Sequence, residues 1–322
     1  MNNKPYSVGI DIGGTNTVFG IVDRNGKVIA KGSIKTGGYA DFNEYLDKLH
    51  DSLSTLIKEN DAEGKIAGIG MGAPGANYHT GEIVNAANLN WGVNLPIAYL
   101  VSEKFNGLPV TVTNDANAAA MGEMVYGAAK GMNDFIMITL GTGVGSGIVS
   151  NGKLVYGHDG LAGELGHVIV ERKDGRKCGC GRSGCLETYC SSTGMKRTAK
   201  EFLQSSEPSV LRNIDPEKLT SKDVYDAAIA GDKMANDIFE FTGKILGEAL
   251  ADFAAFSGPE AFILFGGLMR SGDLLLNQIK KAFDESLLFI YTDKPKIIVS
   301  QLNEDDGAVL GASALGWEAQ NN

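Results

Sequence analysis

Residues 8–22 read VGIDIGGTNTVFGIV, and the order of elements in this stretch decides the fold. An apolar strand, Tyr6–Ile12, runs into Gly13-Gly14-Thr15-Asn16, and a second strand, Thr17–Val22, follows at once. In a dinucleotide-binding or Walker-type loop the glycines lead into a helix. Here they form the tip of a hairpin with Asp11 just before it. Two readings stay open at this point. The amides of Gly13–Asn16 and the Thr15 hydroxyl can hold phosphate oxygens while Asp11 holds a hydrated magnesium ion. Equally, the loop can be an ordinary hairpin with a solvated aspartate. After the Asp23-Arg24-Asn25-Gly26 turn, Lys27–Ile34 reads as a third strand.

The same plan returns at residues 136–150, IMITLGTGVGSGIVS. A strand, Asp134–Leu140, ends in the run Gly141–Gly147, and a further strand, Ile148–Ser150, follows. Ser146 stands where a GxGxxG fingerprint would have its last glycine. This weak internal repeat implies two related domains facing one another, with two hairpin tips gripping a polyphosphate from both sides. Thr142 and Gly143 are the phosphate candidates of the second tip.

Between these hairpins and the C-terminal half lies GELGHVIVERKDGRKCGCGRSGCLETYC, residues 163–190, which holds all 4 cysteines and one of the 4 histidines. Zinc favours four soft or borderline ligands in a tetrahedron, and three thiolates plus one imidazole satisfy it. His167, Cys178, Cys180 and Cys185 have the spacing of a closed knuckle, and the intervening glycines let the backbone turn tightly. The alternative is reduced cysteines packed as small apolar residues. Their clustering in a chain with no other cysteine favours a structural zinc site, with Cys190 left over.

With 322 residues the chain is long enough for two ordinary domains. An apolar content of 43% and a charged content of 21% belong to a soluble globular protein. A net charge of -10 and a pI near 5.0 argue against nucleic acid as a partner, because neutralising phosphates needs a basic face. No signal-peptide pattern opens the chain and no run of about 18 apolar residues occurs, so a cytoplasmic protein without membrane association is expected. Cysteines in a reducing compartment again favour metal over disulfides.

The remaining pattern alternates helix and strand. Apolar residues at helical spacing mark Asp41–Asn60, with Asp41 and Glu44 as a capping box. Ile66–Met71 reads as a strand ending in Gly72-Ala73-Pro74-Gly75, and Ala86–Trp91 as a loop presenting the amides of Asn88 and Asn90. A short helix, Leu95–Phe105, precedes a strand, Val110–Thr113. That strand hands over to good helix formers reaching Tyr126, so Asp115 sits at a strand-to-helix junction beside Asn114; taken alone it reads first as an N-cap. Further on, Lys222–Ala230, Lys233–Phe256, Leu274–Phe283 and Ala308–Leu315 read as helices, and Ala261–Phe265 and Lys296–Ser300 as strands. The open backbone of Gly266-Gly267 after a buried strand suits a flat ring lying against it.

Assembled, these stretches resemble the ROK family of sugar kinases, and within it the bacterial ATP-dependent glucokinases, over nearly the whole length. Asp11-Ile12-Gly13-Gly14-Thr15 is similar to the family's first phosphate motif and Leu140-Gly141-Thr142-Gly143 to its second. Gly163-Glu164-Leu165-Gly166-His167 resembles its ExGH sugar motif. Cys178-Gly179-Cys180-Gly181, followed by Gly184-Cys185-Leu186-Glu187, resembles its zinc signature. The resemblance implies an α/β, actin-like, hexokinase-type (ribonuclease H-like) fold of two domains with the active site in the cleft between them. The expected division is residues 1–114 plus about 305–322 against residues 115–304, which carry the zinc loop. It further implies Asp115 as catalytic base, a sugar site of Gly75, Asn88, Asn114, Asp115, Glu164, His167 and Glu187, and a nucleotide site of Asp11, Gly13, Gly14, Thr15, Asn16, Thr142, Gly143, Gly266 and Gly267. ATP with Mg2+ and a structural Zn2+ are the expected cofactors, and a hexose the small-molecule partner of a homo-oligomer, dimer or tetramer.

The expected reaction is phosphorylation of a hexose at its 6-hydroxyl, glucose to glucose 6-phosphate. The rivals are a kinase for N-acetylmannosamine, fructose or allose, a non-catalytic ROK-type sugar sensor, and an actin-like filament protein. The family's repressors carry an added N-terminal helix-turn-helix, for which this chain offers no room before its first strand. If the zinc is structural, its loss is expected to damage sugar affinity first, leaving both phosphate hairpins formed.

Overall fold

The structure is a computed structural model that describes residues 4–84, 91, 92 and 94–319. In chain order the elements are β1 (Tyr6–Ile12), β2 (Asn16–Asp23), β3 (Val28–Lys35), α1 (Phe42–Glu59), β4 (Ile66–Gly72), β5 (Ala76–Asn77), β6 (Glu82–Ile83), α2 (Ile97–Lys104), β7 (Val110–Thr113), α3 (Asp115–Tyr126), β8 (Phe135–Leu140), β9 (Val144–Ser150) and β10 (Lys153–Leu154). There follow α4 (Glu187–Cys190), α5 (Ser192–Phe202), α6 (Ser221–Ile229), α7 (Lys233–Ser257), β11 (Ala261–Phe265), α8 (Asp273–Ser286), β12 (Lys296–Val299) and α9 (Glu304–Ala319). The chain divides into two compact units, residues 1–133, 147–163 and 300–322 in the first and residues 134–146 and 164–299 in the second.

The main sheet of the first unit has the order β3-β2-β1-β4-β7. Its β1–β2 and β2–β3 pairs are antiparallel, while β4 joins β1 and β7 joins β4 in parallel. The three hairpin strands are sequential, and the parallel ones are reached through helices, as parallel pairing requires. One face is closed by α1, whose Tyr45, Leu49 and Leu53 are fully buried with Val8, Ile10 and Ile69. Against β1 and β4 packs α9. A Cβ at Gly9 would lie 2.1 Å from the Val309 carbonyl oxygen, and one at Gly70 would lie 1.9 Å from that of Ala312. Only glycine lets helix and sheet backbones meet this closely.

The other five-stranded sheet has the order β10-β9-β8-β11-β12. Numbered within itself, it repeats the first sheet's plan: three sequential strands side by side, then two helix-connected strands beyond the first of them. β11 lies parallel between β8 and β12, and in the second unit α7 packs along α8. The internal repeat read from the two glycine-tipped hairpins is thus a repeat of topology.

Several details differ from the expectations. The expected boundary at residue 114 assigns α3 to the larger part, whereas α3 falls in the first unit, where it packs on α9 and β4. Strand β9 begins at Val144, inside the glycine run read as turn, because Val144, Ser146 and Gly147 take buried positions on the pleat. Helix α5 went unread: its buried face is made of Gly194, Met195, Thr198 and Ala199, too small and polar to give an apolar period. Helix α9 starts at Glu304, earlier than the apolar pattern implied. Asn88 and Asn90 lie outside the described residues. Among the described residues no helix is long and apolar enough to cross a membrane.

Candidate active site

In the first unit, β1, β4 and β7 end side by side, and their ends carry the acidic candidates. Asp11 is the penultimate residue of β1, and Asp115 is the first residue of α3, directly after β7 and Asn114. A Cβ on Gly72, at the end of β4, would lie 3.6 Å from Asp11 Oδ1 and 3.7 Å from the Asp115 Cα, so both aspartates flank that glycine. Asn114 caps α3, its Oδ1 accepting the Asn117 N–H at 2.7 Å. The two readings of this junction are therefore divided between two residues: Asn114 is the cap and leaves Asp115 exposed. Burial, and secondarily the charge of Asp115, push Asp11 up from the usual carboxylate range to about 6. Gly75 turns at a φ of +67° just after β4, and its carbonyl accepts the Val84 N–H.

The first glycine turn also belongs to this unit. Gly13 donates its N–H to the Asn16 carbonyl at 3.0 Å, closing the turn on itself. Thr36, just past β3, buttresses it: its N–H bonds the Thr15 carbonyl at 3.0 Å and its hydroxyl donates to the Gly13 carbonyl at 2.7 Å. Gly14, Thr15 and Asn16 are exposed, free to meet a ligand.

In the second unit the cysteine loop folds back on itself. Ligand atoms of His167, Cys178, Cys180 and Cys185 all lie within 4.8 Å of one another. The Cys178 sulfur is 3.6 Å from His167 Nδ1, and the Cys180 and Cys185 sulfurs are 3.6 Å apart. A zinc tetrahedron with arms of about 2.3 Å has edges of roughly 3.8 Å, so donor types and spacing fit that metal. Arg176, buried just before Cys178, fixes the loop from behind. Its guanidinium donates to Glu201 of α5, to the Thr188 carbonyl at 2.8 Å and to the Thr198 hydroxyl at 2.9 Å, and it lies over the Tyr189 ring. Cys190, the fourth cysteine, is fully buried and stands apart from the cluster.

The sugar candidates Glu164, His167 and Glu187 all sit on this loop or its edges. Glu164 is exposed and precedes a short 3-10 turn, Leu165–His167, where its carbonyl accepts the His167 N–H at 3.0 Å. Glu187 opens α4 immediately after Cys185-Leu186. One of its oxygens accepts the Val144 N–H at 3.1 Å, and the other is 3.7 Å from the Cys178 sulfur.

The second glycine turn, Gly141–Gly143, borders a cavity of about 460 Å³ inside the second unit. Leu140, Gly141 and Thr142 line it, as do Gly267 and Leu268 beyond β11, with Ser221, Lys222 and Tyr225 of α6 and Arg270 supplying polar groups. The volume suits a small organic ligand. Of the second-unit nucleotide candidates, Thr142 and Gly267 line this cavity. Gly266, at φ +107°, instead allows β11 to end against the Leu140 backbone, and Gly143 faces Glu187. Ser221, Lys222, Tyr225 and Arg270 escaped the sequence reading because they sit on a helix start and a short 3-10 turn with no motif of their own. The adjacency of α6 to the Gly267 turn becomes visible only in three dimensions.

The loop is hydrogen-bonded to the second hairpin. The second hairpin is not assembled independently of the cysteine stretch: Gly141 accepts the Ser192 N–H at 2.9 Å and Val144 donates to Glu187. Both partners lie on the helices that close the loop.

Comparison with known proteins agrees with the folded arrangement. The ROK family pattern matches residues 7–319. The glucokinase of Halalkalibacterium halodurans is 38% identical over 98% of this chain and 95% of its own. That of Thermotoga maritima is 32% identical over 96% of each. Among solved structures, a ROK family glucokinase from Streptomyces griseus in complex with glucose and AMPPNP superposes with a TM-score of 0.77 at 33% identity, covering 97% of this chain and 99% of that one. The chain belongs to the ROK family, and its architecture is the actin-like fold of that family's sugar kinases.

Proposed function

We propose that the protein transfers the γ-phosphoryl group of ATP to the 6-hydroxyl of glucose, giving glucose 6-phosphate and ADP. The observation that carries this reading is the exposed Asp115, freed from capping by Asn114 and paired with Asp11 beside Gly72. It occurs in a chain that is 32–38% identical to glucokinases over nearly its full length. Phosphoryl transfer asks for alignment and charge neutralisation more than covalent chemistry. Asp115 takes the proton of the attacking hydroxyl as the new P–O bond forms and the bond to ADP breaks. Asp11, largely ionised at neutral pH, would hold hydrated magnesium, which would neutralise charge on the phosphates. The amides of Gly13–Asn16 and the Thr142 hydroxyl receive phosphate oxygens, and the cavity beside Gly267 receives the adenosine.

Gly75, Asn88, Asn114, Glu164, His167 and Glu187 make up the proposed sugar site; amides and carboxylates are fitting partners for hydroxyls that both donate and accept. Three thiolates and His167 Nδ1 would hold a structural zinc with no position left for water, stiffening the loop that carries His167 and Glu187. Assembly as a homo-oligomer is part of the reading, supported by Phe256 and Phe289, which are 88% and 95% exposed in the second unit.

A coupled assay of ADP release across glucose, N-acetylmannosamine, fructose and allose tests the substrate. Highest kcat/KM on glucose is expected, and ADP release with none of the four would leave the sensor reading standing. Asp115→Asn is expected to lower kcat by about 10²-fold or more with glucose binding retained. Turnover within threefold of the parent would remove Asp115 from the role of base.

A further inference from the structure

Glu187 has two faces, and only one of them is accounted for by a sugar. Its Oε2 accepts the Val144 N–H at 3.1 Å, at the point where the second glycine turn becomes β9. The fit is close: a Cβ on Gly143 would lie 2.3 Å from that same oxygen, so the carboxylate is seated directly against the turn. Val144 is gripped on its other side too, since a Cβ on Gly166 would lie 2.0 Å from the Val144 carbonyl oxygen. Two residues on, Ser146 accepts the Leu165 N–H at 3.0 Å. The start of the turn is held separately, by the bond from the Ser192 N–H to the Gly141 carbonyl at 2.9 Å. Ser191, which caps α5, hydrogen-bonds back to the Glu187 carbonyl through its hydroxyl at 2.7 Å, making α4 and α5 one rigid corner.

We infer that Glu187 is the positioning residue of the second phosphate turn, and that the cysteine loop sets nucleotide affinity by way of it. The inference rests on the proposed role of the 141–143 turn in binding nucleotide. Physically, a glycine turn samples many backbone conformations unless its amides are pinned. A carboxylate acceptor makes a strong, short-range pin. With Val144 and Gly141 both fixed, the amides of the turn point one way before the nucleotide arrives, so less ordering is needed on binding. Glu187 opens α4 two residues after Cys185, so the pin is rooted in the metal-ligating loop.

The test separates this role from sugar contact by leaving sugar out. Binding of magnesium and a non-hydrolysable ATP analogue is measured by calorimetry, and amide exchange is followed in peptides covering residues 141–146 and 13–18. Glu187→Ala is expected to bind the analogue about tenfold more weakly and to exchange faster at 141–146 only. Glu187→Gln keeps a carbonyl acceptor for Val144 and is expected within about threefold of the parent in both readouts. Ser192→Pro probes the second strut without touching the carboxylate: position 192 opens α5, where proline is tolerated, and Ser191 is already extended. It should weaken analogue binding several-fold, and it stands in if Glu187→Ala does not fold. Unchanged exchange at 141–146 in Glu187→Ala, or analogue affinity within twofold of the parent in both Glu187→Ala and Ser192→Pro, would overturn the inference. If the parent itself fails to bind the analogue, the nucleotide reading of the turn falls, while the exchange data still decide whether Glu187 pins it.

Discussion

The two glycine turns look alike in sequence and draw their support from different distances along the chain. The turn at Gly13–Asn16 is held by its own three-strand neighbourhood: it closes on itself and leans on Thr36, just past β3. The turn at Gly141–Gly143 also closes on itself, the Gly141 N–H meeting the Gly143 carbonyl at 3.0 Å, but its outside support comes from far along the chain, the Val144 N–H bonding a carboxylate 43 positions on. Both motifs are strand, glycines, strand. What differs is where the outside partners come from, and that determines which perturbations each turn will feel. A turn stabilised locally is insulated from events elsewhere in its unit, whereas one stabilised from a loop inherits that loop's order.

The strongest way to break the comparison is to unmake the loop. Cys180 is the exposed member of the cluster, so Cys180→Ser removes a ligand with little damage to packing. Zinc per chain, measured by elemental analysis, should fall from near one toward zero, and glucose affinity by about 10²-fold, the upper end for a disturbed metal site. Amide exchange should quicken in peptides spanning 141–146 and stay at the parent's rate across 13–18. Equal acceleration in both turns would mean the second is no more dependent on the loop than the first. Parent protein purified without chelators and found free of zinc would remove the metal altogether.

A second experiment sharpens the local side of the comparison, because the first turn follows directly on a mostly buried acid. Asp11 titrates near 6 in the folded chain, raised by burial first and by Asp115 second. An acid whose folded pKa lies above its unfolded value of 3.8 holds its proton more tightly in the native state. Its contribution to stability is therefore greatest below pH 4, declines as pH rises from about 4 to about 6, and is flat above. Asp11→Asn abolishes that decline. In urea melts without magnesium or nucleotide, the variant should gain on the order of 2 kcal/mol relative to the parent between pH 4 and pH 7. A difference curve with no slope across that window would show that Asp11 is solvated like any surface aspartate.

The contrast also explains what could be read from the chain and what could not. Local chemistry was legible: the alternation around Gly13-Gly14, the 178–185 spacing of three thiols and the strand-to-helix handover at Asp115 all depend on residues close in sequence. The strand-to-helix junction was legible while its cap was not: the folded chain gives the cap to Asn114. Illegible were the features that depend on tertiary proximity. Nothing in Val144 announces that its amide needs Glu187, and nothing in Ser192 announces Gly141. The one available signal was Gly143, a glycine in a turn with no positive φ, whose missing side chain is explained only by the carboxylate lying where a Cβ would go. Helix α5 was hidden for a related reason: its inward face is small because Arg176 and the loop fill the space that larger side chains would otherwise take.

The smallest expected effect lies in the buttress of the first turn, and it tests whether that turn is as self-contained as its bonds imply. Thr36 donates its single hydroxyl proton to the Gly13 carbonyl at 2.7 Å. The Thr17 hydroxyl, 3.0 Å from that of Thr36, must then donate to it, and the Tyr45 hydroxyl, 3.0 Å from Thr17, must donate in turn. The relay runs one way, from Tyr45 on α1 through two threonines to the turn, and all three side chains are buried. Burial pushes the Tyr45 hydroxyl far up, so it keeps the proton the relay needs. Thr36→Val leaves the Thr17 proton without an acceptor and the Gly13 carbonyl without this donor, at a cost of about 1–2 kcal/mol in a urea melt. Thr36→Ser retains the hydroxyl and should recover most of it. Because the Gly13–Asn16 bond and the Thr36 N–H both survive the valine, nucleotide affinity should fall by no more than about threefold, the equivalent of less than 1 kcal/mol. Exchange should rise at 13–18 and remain unchanged at 141–146, the mirror image of the cysteine variant. A Thr36→Val protein that lost nucleotide binding outright would mean the first turn, too, depends on support from beyond its own hairpin.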